Sequence, residues 1–533
     1  MVITEKTSVA EIVQEFPNSR RIFDRHGLHG CGGGQGPAES LAFFASVHRA
    51  DLPSLIEELN REAQQPQERH IYKETPADYI YRRFFKAGIF IVLTVGALWG
   101  AVNLAQIAIG KSFLQLHLVQ SIHAHAHAMI FGWVGLFVMG FAYQSFPRFK
   151  NTTLWRPNLA NLSFYLMLAG IVTRMSAELL IHSEFGLALG TFSAVIELIA
   201  VVLFLAVLYK TASRSLEPHN RYETFLVASF VWFFVQAILS DVFFFAKATA
   251  MGQQQLIQRI ALIDGPLRDV QLLGFAALII AGVSQRFVPL VYGLKPPKKD
   301  RQRLVFALMN GALILNVISY VAVLTTGNLA WGIGLELAYI LMPVWGVLLA
   351  IQLGVFSKPS QPDRTFKFIR AAYIWLIIAN GMMPFFLVYG IAMRQGFAHA
   401  YMGAHRHAFT VGFISMMIMG VAARVVPILA GVDASRLSGL WGPFLLITIG
   451  SSGRVLLQIG TDFFPNVAYP LVGLTGFLEV TALAWWGIGL WRVMNLSRTE
   501  RAKALVAPAP VSLLPILRVC FINRFSLTSA TYV

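Results

Sequence analysis

The amino-acid sequence predicts an all-α polytopic membrane protein, with about twelve transmembrane helices in three pseudo-symmetric four-helix arcs and a small soluble helical domain at the N-terminus. Its 533 residues are 56% apolar and 13% charged, and a soluble domain of this size could not bury so much apolar surface. Apolar stretches of about 20 residues, each long enough to span a bilayer, recur from near Phe84 to near Leu490. Because lipid offers the backbone no hydrogen-bond partners, we expect helices.

The chain divides into a polar N-terminal module and a long apolar domain. Short helices are expected at 8–15, 18–24 and 52–61, with a glycine-rich turn at 27–36. The predicted divisions are a helical domain 1–62, a linker 63–83, a membrane domain 84–492 with repeats at about 84–209, 222–356 and 368–492, and a cytoplasmic tail 493–533. The only two cysteines, Cys31 and Cys520, exclude a disulfide framework.

The basic residues indicate topology. A net charge of +16 in a soluble protein would suggest nucleic acid, but here Lys and Arg cluster in short loops between apolar spans. Cytoplasmic loops carry the excess of Lys and Arg, so both termini are expected in the cytoplasm of a bacterium, with the chain crossing the inner membrane several times. The lipid bilayer is then the expected partner, and nucleic acid is not.

An internal repeat gives the architecture. Two glycines and a proline, spaced eight and seven residues apart, occur three times at intervals of about 140 residues. They lie on spans 2, 6 and 10, so the chain is predicted to be three copies of a four-helix unit. The triplets are Gly132, Gly140 and Pro147; Gly274, Gly282 and Pro289; and Gly412, Gly420 and Pro427.

Histidines precede the first and third triplets. His125 and His127 stand at the same repeat positions as His405 and His407, and the middle copy, which has no histidine between 268 and 356, offers Asp269 instead. Residues i and i+2 point about 200° apart on a helix, so each pair can present one ligand to each of two sites. Ionisable residues in a bilayer usually mark function, and imidazole suits haem iron and copper. The alternative is solvated, inert histidines at the membrane surface.

Two arginines also correspond in the repeat. Arg174 and Arg454 lie at the predicted depth of the histidines, where a guanidinium needs an anionic partner. Haem propionates fit that requirement. The alternatives are ion pairs with Glu178, Glu197 or Glu479, or side chains that extend to the membrane surface.

Further ionisable residues have weaker signals. Arg286 and Arg424 correspond in the repeat but stand at the inner ends of their spans, where we expect them at the membrane interface. Four acids could form a proton path or be structural: Asp241, Asp269, Glu336 and Glu479.

Two segments carry a family resemblance. The runs HAHAMIFG at 125–132 and HAFTVG at 407–412, the latter followed by Ala423-Arg424-Val425, resemble the NnrS family of multi-span haem- and copper-containing proteins linked to nitric oxide response. Three arcs with histidines on spans 2 and 10 are also similar to the haem–copper oxidase subunit I fold.

The resemblance implies haem, most simply of type b, with His127 and His407 as low-spin ligands and His405 facing a second site. Copper is a further candidate, with His123, His125 or His399 as ligands. Nitric oxide would be a gaseous ligand, and an electron donor or partner subunit would be expected.

Departures from the oxidase pattern keep other functions open. The oxidases have a copper-binding histidine with a nearby tyrosine on span 6 and a histidine pair after span 7, and this sequence has neither. Whether the protein is an enzyme therefore stays open. One alternative is a divergent respiratory oxidoreductase that reduces oxygen or nitric oxide. Another is a transporter without a cofactor.

The N-terminal module has its own resemblance. The run FDRHGLHGCGG at 23–33 is similar to the short N-terminal domain of iron–sulfur-cluster repair di-iron proteins. It implies a thiol or metal site at Cys31, His26 and His29. That family has two adjacent cysteines, whereas Gly30 takes the first place here, so a purely structural turn is the alternative.

Overall fold

The computed structural model describes residues 1–28, 34, 36–67, 75–113, 118–361, 363–434 and 437–496. In that part of the chain, twelve helices are long and apolar enough to cross a membrane, which confirms the predicted multi-pass, all-α fold. In chain order, spans 1 to 12 are Tyr81–Gly110, Val119–Phe149, Pro157–Leu179, Glu184–Ala212, Arg221–Ala248, Gln253–Tyr292, Lys299–Thr326, Trp331–Leu353, Phe366–Ala392, His399–Leu429, Trp441–Gly460 and Pro465–Asn495.

A small helical domain precedes the spans. Its helices are α1 Val9–Glu15, α2 Ser19–Arg25, α3 Leu41–His48 and α4 Leu52–Ala63. Polar side chains cap the N-termini of two of these helices: Ser8 and Glu11 form a capping box on α1, and Asp51 caps α4. The sequence analysis did not predict α3, because its residues are apolar without helical periodicity.

The spans form a closed ring with three helices inside it. Spans 3 and 4, 7 and 8, and 11 and 12 pack as pairs, and span 12 packs on span 1. In spans 2 and 6, 78% of the most apolar 18-residue stretch is buried, and in span 10 the share is 67%, against 33–50% in the other spans. Spans 2, 6 and 10, which carry the repeated triplets, are therefore the inner helices.

Each inner helix contains a π-helical segment at the same place. The segments are Ala128–Gly135, Val270–Ala277 and Ala408–Ser415. The first glycine of each triplet is the fifth residue of its segment. The three inner helices are continuous but wider at this level. Such π turns occur frequently at functional sites.

Packing explains why those positions are glycine. A side chain from the neighbouring outer helix fills the space that a Cβ would need. An added Cβ would lie 2.7 Å from Ile91 at Gly132, 2.9 Å from Trp232 at Gly274 and 2.5 Å from Trp375 at Gly412. The three large side chains themselves stand at corresponding repeat positions, so the threefold arrangement extends from the inner helices to the outer ones.

The N-terminal domain lies on one end of the membrane domain. Arg286 Nη2 donates a hydrogen bond to the carbonyl oxygen of Val47 at 3.1 Å, and the Arg424 guanidinium lies 5.7 Å from the Phe43 ring centre. Arg49 pairs with Glu217 at 3.6 Å. Arg286 and Arg424, which we expected at the membrane interface, are thus covered by α3.

Candidate cofactor site

His125 and His407 lie where the first and third arcs meet. His125 Nδ1 is 2.9 Å from the carbonyl oxygen of Gly96 on span 1, and its ring occupies the space beside Gly100, where an added Cβ would be 2.4 Å away. His407 Nδ1 is 3.0 Å from the carbonyl oxygen of Gly403. Because Nδ1 donates to a carbonyl in both residues, the lone pair of each imidazole is on Nε2.

The two imidazoles lie in the same region as Arg454. Arg454 is within electrostatic range of both rings, and His125 is within that range of His407. The resemblance suggested His127 as the partner of His407, whereas the structure brings His125 to it. A ring nitrogen anchored on a carbonyl, with the other nitrogen bare, is the usual arrangement of a metal-binding histidine.

Arg454 retains free donors at this place. It is 5% exposed, and its Nε and Nη1 have no hydrogen-bond partner. Its nearest acid is Glu479 on span 12, whose Oε1 is also without a partner. Glu479 was one of the alternatives considered for the predicted arginines, but the pair is not closed by a hydrogen bond. The site can therefore accept an anionic group.

His127 faces a different boundary, between the first and middle arcs. Its Nε2 donates to Glu197 Oε1 on span 4 at 2.9 Å, with both side chains at most 5% exposed. Its ring also stacks on Phe131 at 4.5 Å. The Nε2 of His127 is thus committed to a carboxylate, and its role as a haem ligand stays a prediction.

Arg174 and His123 are engaged at the same boundary. Arg174 forms an ion pair with Asp241 on span 5, which was considered from sequence for a proton path but not as the partner of this arginine. The Nε and Nη1 of Arg174 remain without partners. Lys247 bridges Glu178 at 2.5 Å and His123 Nδ1 at 3.1 Å. Since His123 Nδ1 accepts from an ammonium group, its neutral ring carries the proton on Nε2 and has no lone pair left for copper.

The middle arc meets the third through a shared carboxylate. Asp264 on span 6 accepts from Arg406 at 3.0 Å and from Arg268 at 3.1 Å. Nearby, Asp269 accepts from Asn316 Nδ2 at 2.7 Å. His405, adjacent to Arg406, is 7% exposed, and its Nδ1 has no hydrogen-bond partner.

Sequence reasoning missed four of these charged groups. They are Lys247, Asp264, Arg268 and Arg406. The sequence did contain a signal for Lys247, because a lysine within an apolar span needs an anionic partner. The partnership of Arg406 and Asp264 had no sequence signal, since 142 residues separate them.

The metal sites suggested by the sequence stay predictions. Among the described residues, no three His, Cys, Asp or Glu side chains are grouped so that they could hold a metal ion. His399 packs against Phe397 at 4.6 Å. His26 ends α2, while Cys31 and His29 lie outside the described residues, so the thiol or metal site stays a prediction.

Comparison with known proteins gives the family. The family model described as NnrS protein matches residues 77–498, which include all twelve spans and leave the N-terminal domain outside. No curated protein matches the chain. The membrane domain was predicted to resemble this family from two short histidine runs, and the match covers more than three quarters of the sequence. The chain belongs to the NnrS family.

Proposed function

We propose that this protein binds haem, most simply of type b, between His125 and His407, and acts in nitric oxide or nitrogen-oxide response. The observation that carries the proposal is the arrangement of two imidazoles on symmetry-related helices. Each is oriented by a carbonyl at Nδ1 and offers a bare Nε2. Imidazole pairs of this kind are suited to the two axial positions of haem iron.

The residues around the two histidines suit the other parts of a haem group. The unpartnered donors of Arg454 would bind a propionate, because a guanidinium matches a carboxylate in both charge and shape. Gly96 and Gly100 on span 1 hold the His125 ring in place. When bound, haem would supply one-electron chemistry, while the protein orients the ligands and excludes water.

The membrane setting is part of the proposal. The excess of Lys and Arg in loops on one side supports a bacterial inner-membrane protein with both termini in the cytoplasm. The likeness to the haem–copper oxidase arrangement, and that of the N-terminal domain to iron–sulfur repair proteins, belong to the same proposal. An electron donor or partner subunit would then be required.

A reduced-minus-oxidised spectrum of the purified protein tests the proposal. We expect the bands of a low-spin haem in the wild type, their loss in His125→Ala and His407→Ala, and their retention in His127→Ala. A wild type without haem bands would overturn the proposal and favour the transporter. Bands that disappear only in His127→Ala would overturn the choice of His125.

A second candidate function rests on His405. Its buried, unpartnered Nδ1 favours a further ligand site, as a respiratory oxidoreductase would need. A carbon monoxide difference spectrum separates the two: a signal that His405→Ala removes would indicate a gas-binding haem at this histidine, and no signal would leave a purely low-spin haem.

A further inference from the structure

A cavity lies on the pseudo-threefold axis, away from the histidines. Its volume is about 80 Å³ and its walls are entirely apolar. Two rings of side chains from the three inner helices form most of it: Val138, Ile280 and Ile418, and then Phe141, Val283 and Val421. These residues stand nine and six positions before the three repeat prolines, so each ring contains one corresponding residue from each arc.

The cavity lies between two polar levels of the inner helices and is only partly enclosed. At one end, Trp133 Nε1 donates to Ser415 Oγ at 3.1 Å between spans 2 and 10, and Trp133 packs on Phe137 in the cavity wall at 4.6 Å. At the other end stand Arg286 and Arg424, which lie under the N-terminal domain. The helices that form the wall are buried among the outer spans.

The chemistry of the cavity limits what can occupy it. A buried water needs two to four polar partners, whereas an apolar cavity of about 150 Å³ in another protein stays dry and binds benzene or xenon. A cavity half that size suits an occupant of only a few atoms. Charged or amphiphilic molecules are disfavoured, because the walls are apolar and the arginines three residues beyond Val283 and Val421 are engaged: Arg286 with Val47 and Tyr222, and Arg424 with Asp363.

We propose that this axial cavity binds a small neutral apolar molecule of the size of a diatomic gas. Such molecules dissolve in lipid and can reach the axis between helices without crossing the charged ends. The site is distinct from the proposed cofactor site: eleven residues separate His407 from Ile418, or about 16 Å along a helix. The inference does not depend on bound haem.

Xenon is the probe for the test, since it matches the size and polarity of such an occupant. Crystals of the full-length protein pressurised with xenon are expected to show an anomalous peak between the two rings. In solution, ¹²⁹Xe NMR should show a saturable component. Val283→Phe fills the cavity and should remove that component.

Val231→Phe is the matched control, because Val231 on span 5 is 56% exposed on the outer surface and the same volume is added there without touching the cavity. It should bind xenon as the wild type does. An unchanged xenon signal in Val283→Phe, or a xenon-soaked wild-type crystal without a peak on the axis, would overturn the proposal. The crystal result decides the matter even if Val283→Phe does not fold.

Discussion

The first arc meets the middle arc at one boundary and the third arc at another. The two boundaries use histidines from the same helix in opposite ways. At the former, His127 and His123 are bound to Glu197 and Lys247. At the latter, His125 is held only through its Nδ1 by a carbonyl. One HxH sequence therefore serves both a closed polar network and an open imidazole site.

The middle arc explains the difference. It has no histidine between 268 and 356, but it supplies Asp241 and Lys247 to the first arc and Asp264 to the third. These groups neutralise charged side chains of both neighbouring arcs. The first and third arcs meet without it, and there Arg454 and the two Nε2 atoms remain available. The boundary between the first and third arcs is thus the one where two imidazoles and a guanidinium remain available together.

The largest expected effect comes from breaking the closed boundary. Lys247→Met leaves Glu178 as a buried carboxylate without its partner, and removal of one member of a buried ion pair costs about 3–5 kcal/mol. Unfolding of the detergent-solubilised protein by denaturant measures the loss. The double variant Lys247→Met/Glu178→Leu should recover most of it. A single variant as stable as the wild type would show that this network does not support the fold.

A somewhat smaller effect is expected between the middle and third arcs. Asp264→Asn removes the charge that Arg268 and Arg406 share but keeps one acceptor oxygen, so the loss is that of one hydrogen bond to a charged group, about 1.5–3 kcal/mol. The same unfolding measurement applies. Asp300→Asn is the control, since its carboxylate is 96% exposed and 4.0 Å from Arg303, and exposed pairs contribute little. Equal losses in both variants would contradict the inter-arc role of Asp264.

The threefold packing of the repeat glycines predicts a third loss of stability, which should be similar in the corresponding arcs. Gly412→Ala places a Cβ 2.5 Å from Trp375, and overpacking of this kind costs about 1–3 kcal/mol. Gly132→Ala should cost a similar amount, because Ile91 fills the corresponding space. Gly311→Ala on span 7, where nothing lies within 4 Å, should be neutral or stabilising. Thermal unfolding distinguishes them, and tolerance of both inner substitutions would argue against the threefold contact.

The fold was largely predictable, because span length, loop charge and the glycine–proline repeat are local or periodic properties. Span 6 was the exception. It begins at Gln253, well before its apolar stretch. The first turns contain Gln253, Gln254 and Pro266, a composition that does not predict an apolar helix. The site was predictable only in residue type. Which histidine of each HxH faces which boundary depends on how the helix is rotated, and the partner of Arg174 lies 67 residues away on another span.

The smallest expected effect concerns pH at the contact between the N-terminal and membrane domains. Glu39 of the N-terminal domain is partly accessible and interacts electrostatically with Arg424 of the third arc and Arg148 of the first. Burial raises the pKa of its carboxyl from 4.5 to about 7, although both arginines oppose the shift. Other acids at this contact are Asp363, which pairs with Arg424, and Glu217, which pairs with Arg49.

The sign of the pH effect follows from that pKa. The docked state holds a proton on Glu39 that the released state loses above pH 4.5, so docking is strongest below that pH and weakens as the pH rises towards 7. Hydrogen exchange in α3 and α4 should therefore be faster at pH 8 than at pH 5.5, after correction for intrinsic rates. Glu39→Gln should make protection independent of pH over this range. Tighter docking at pH 8 in the wild type would mean that attraction to the two arginines outweighs burial of the carboxylate.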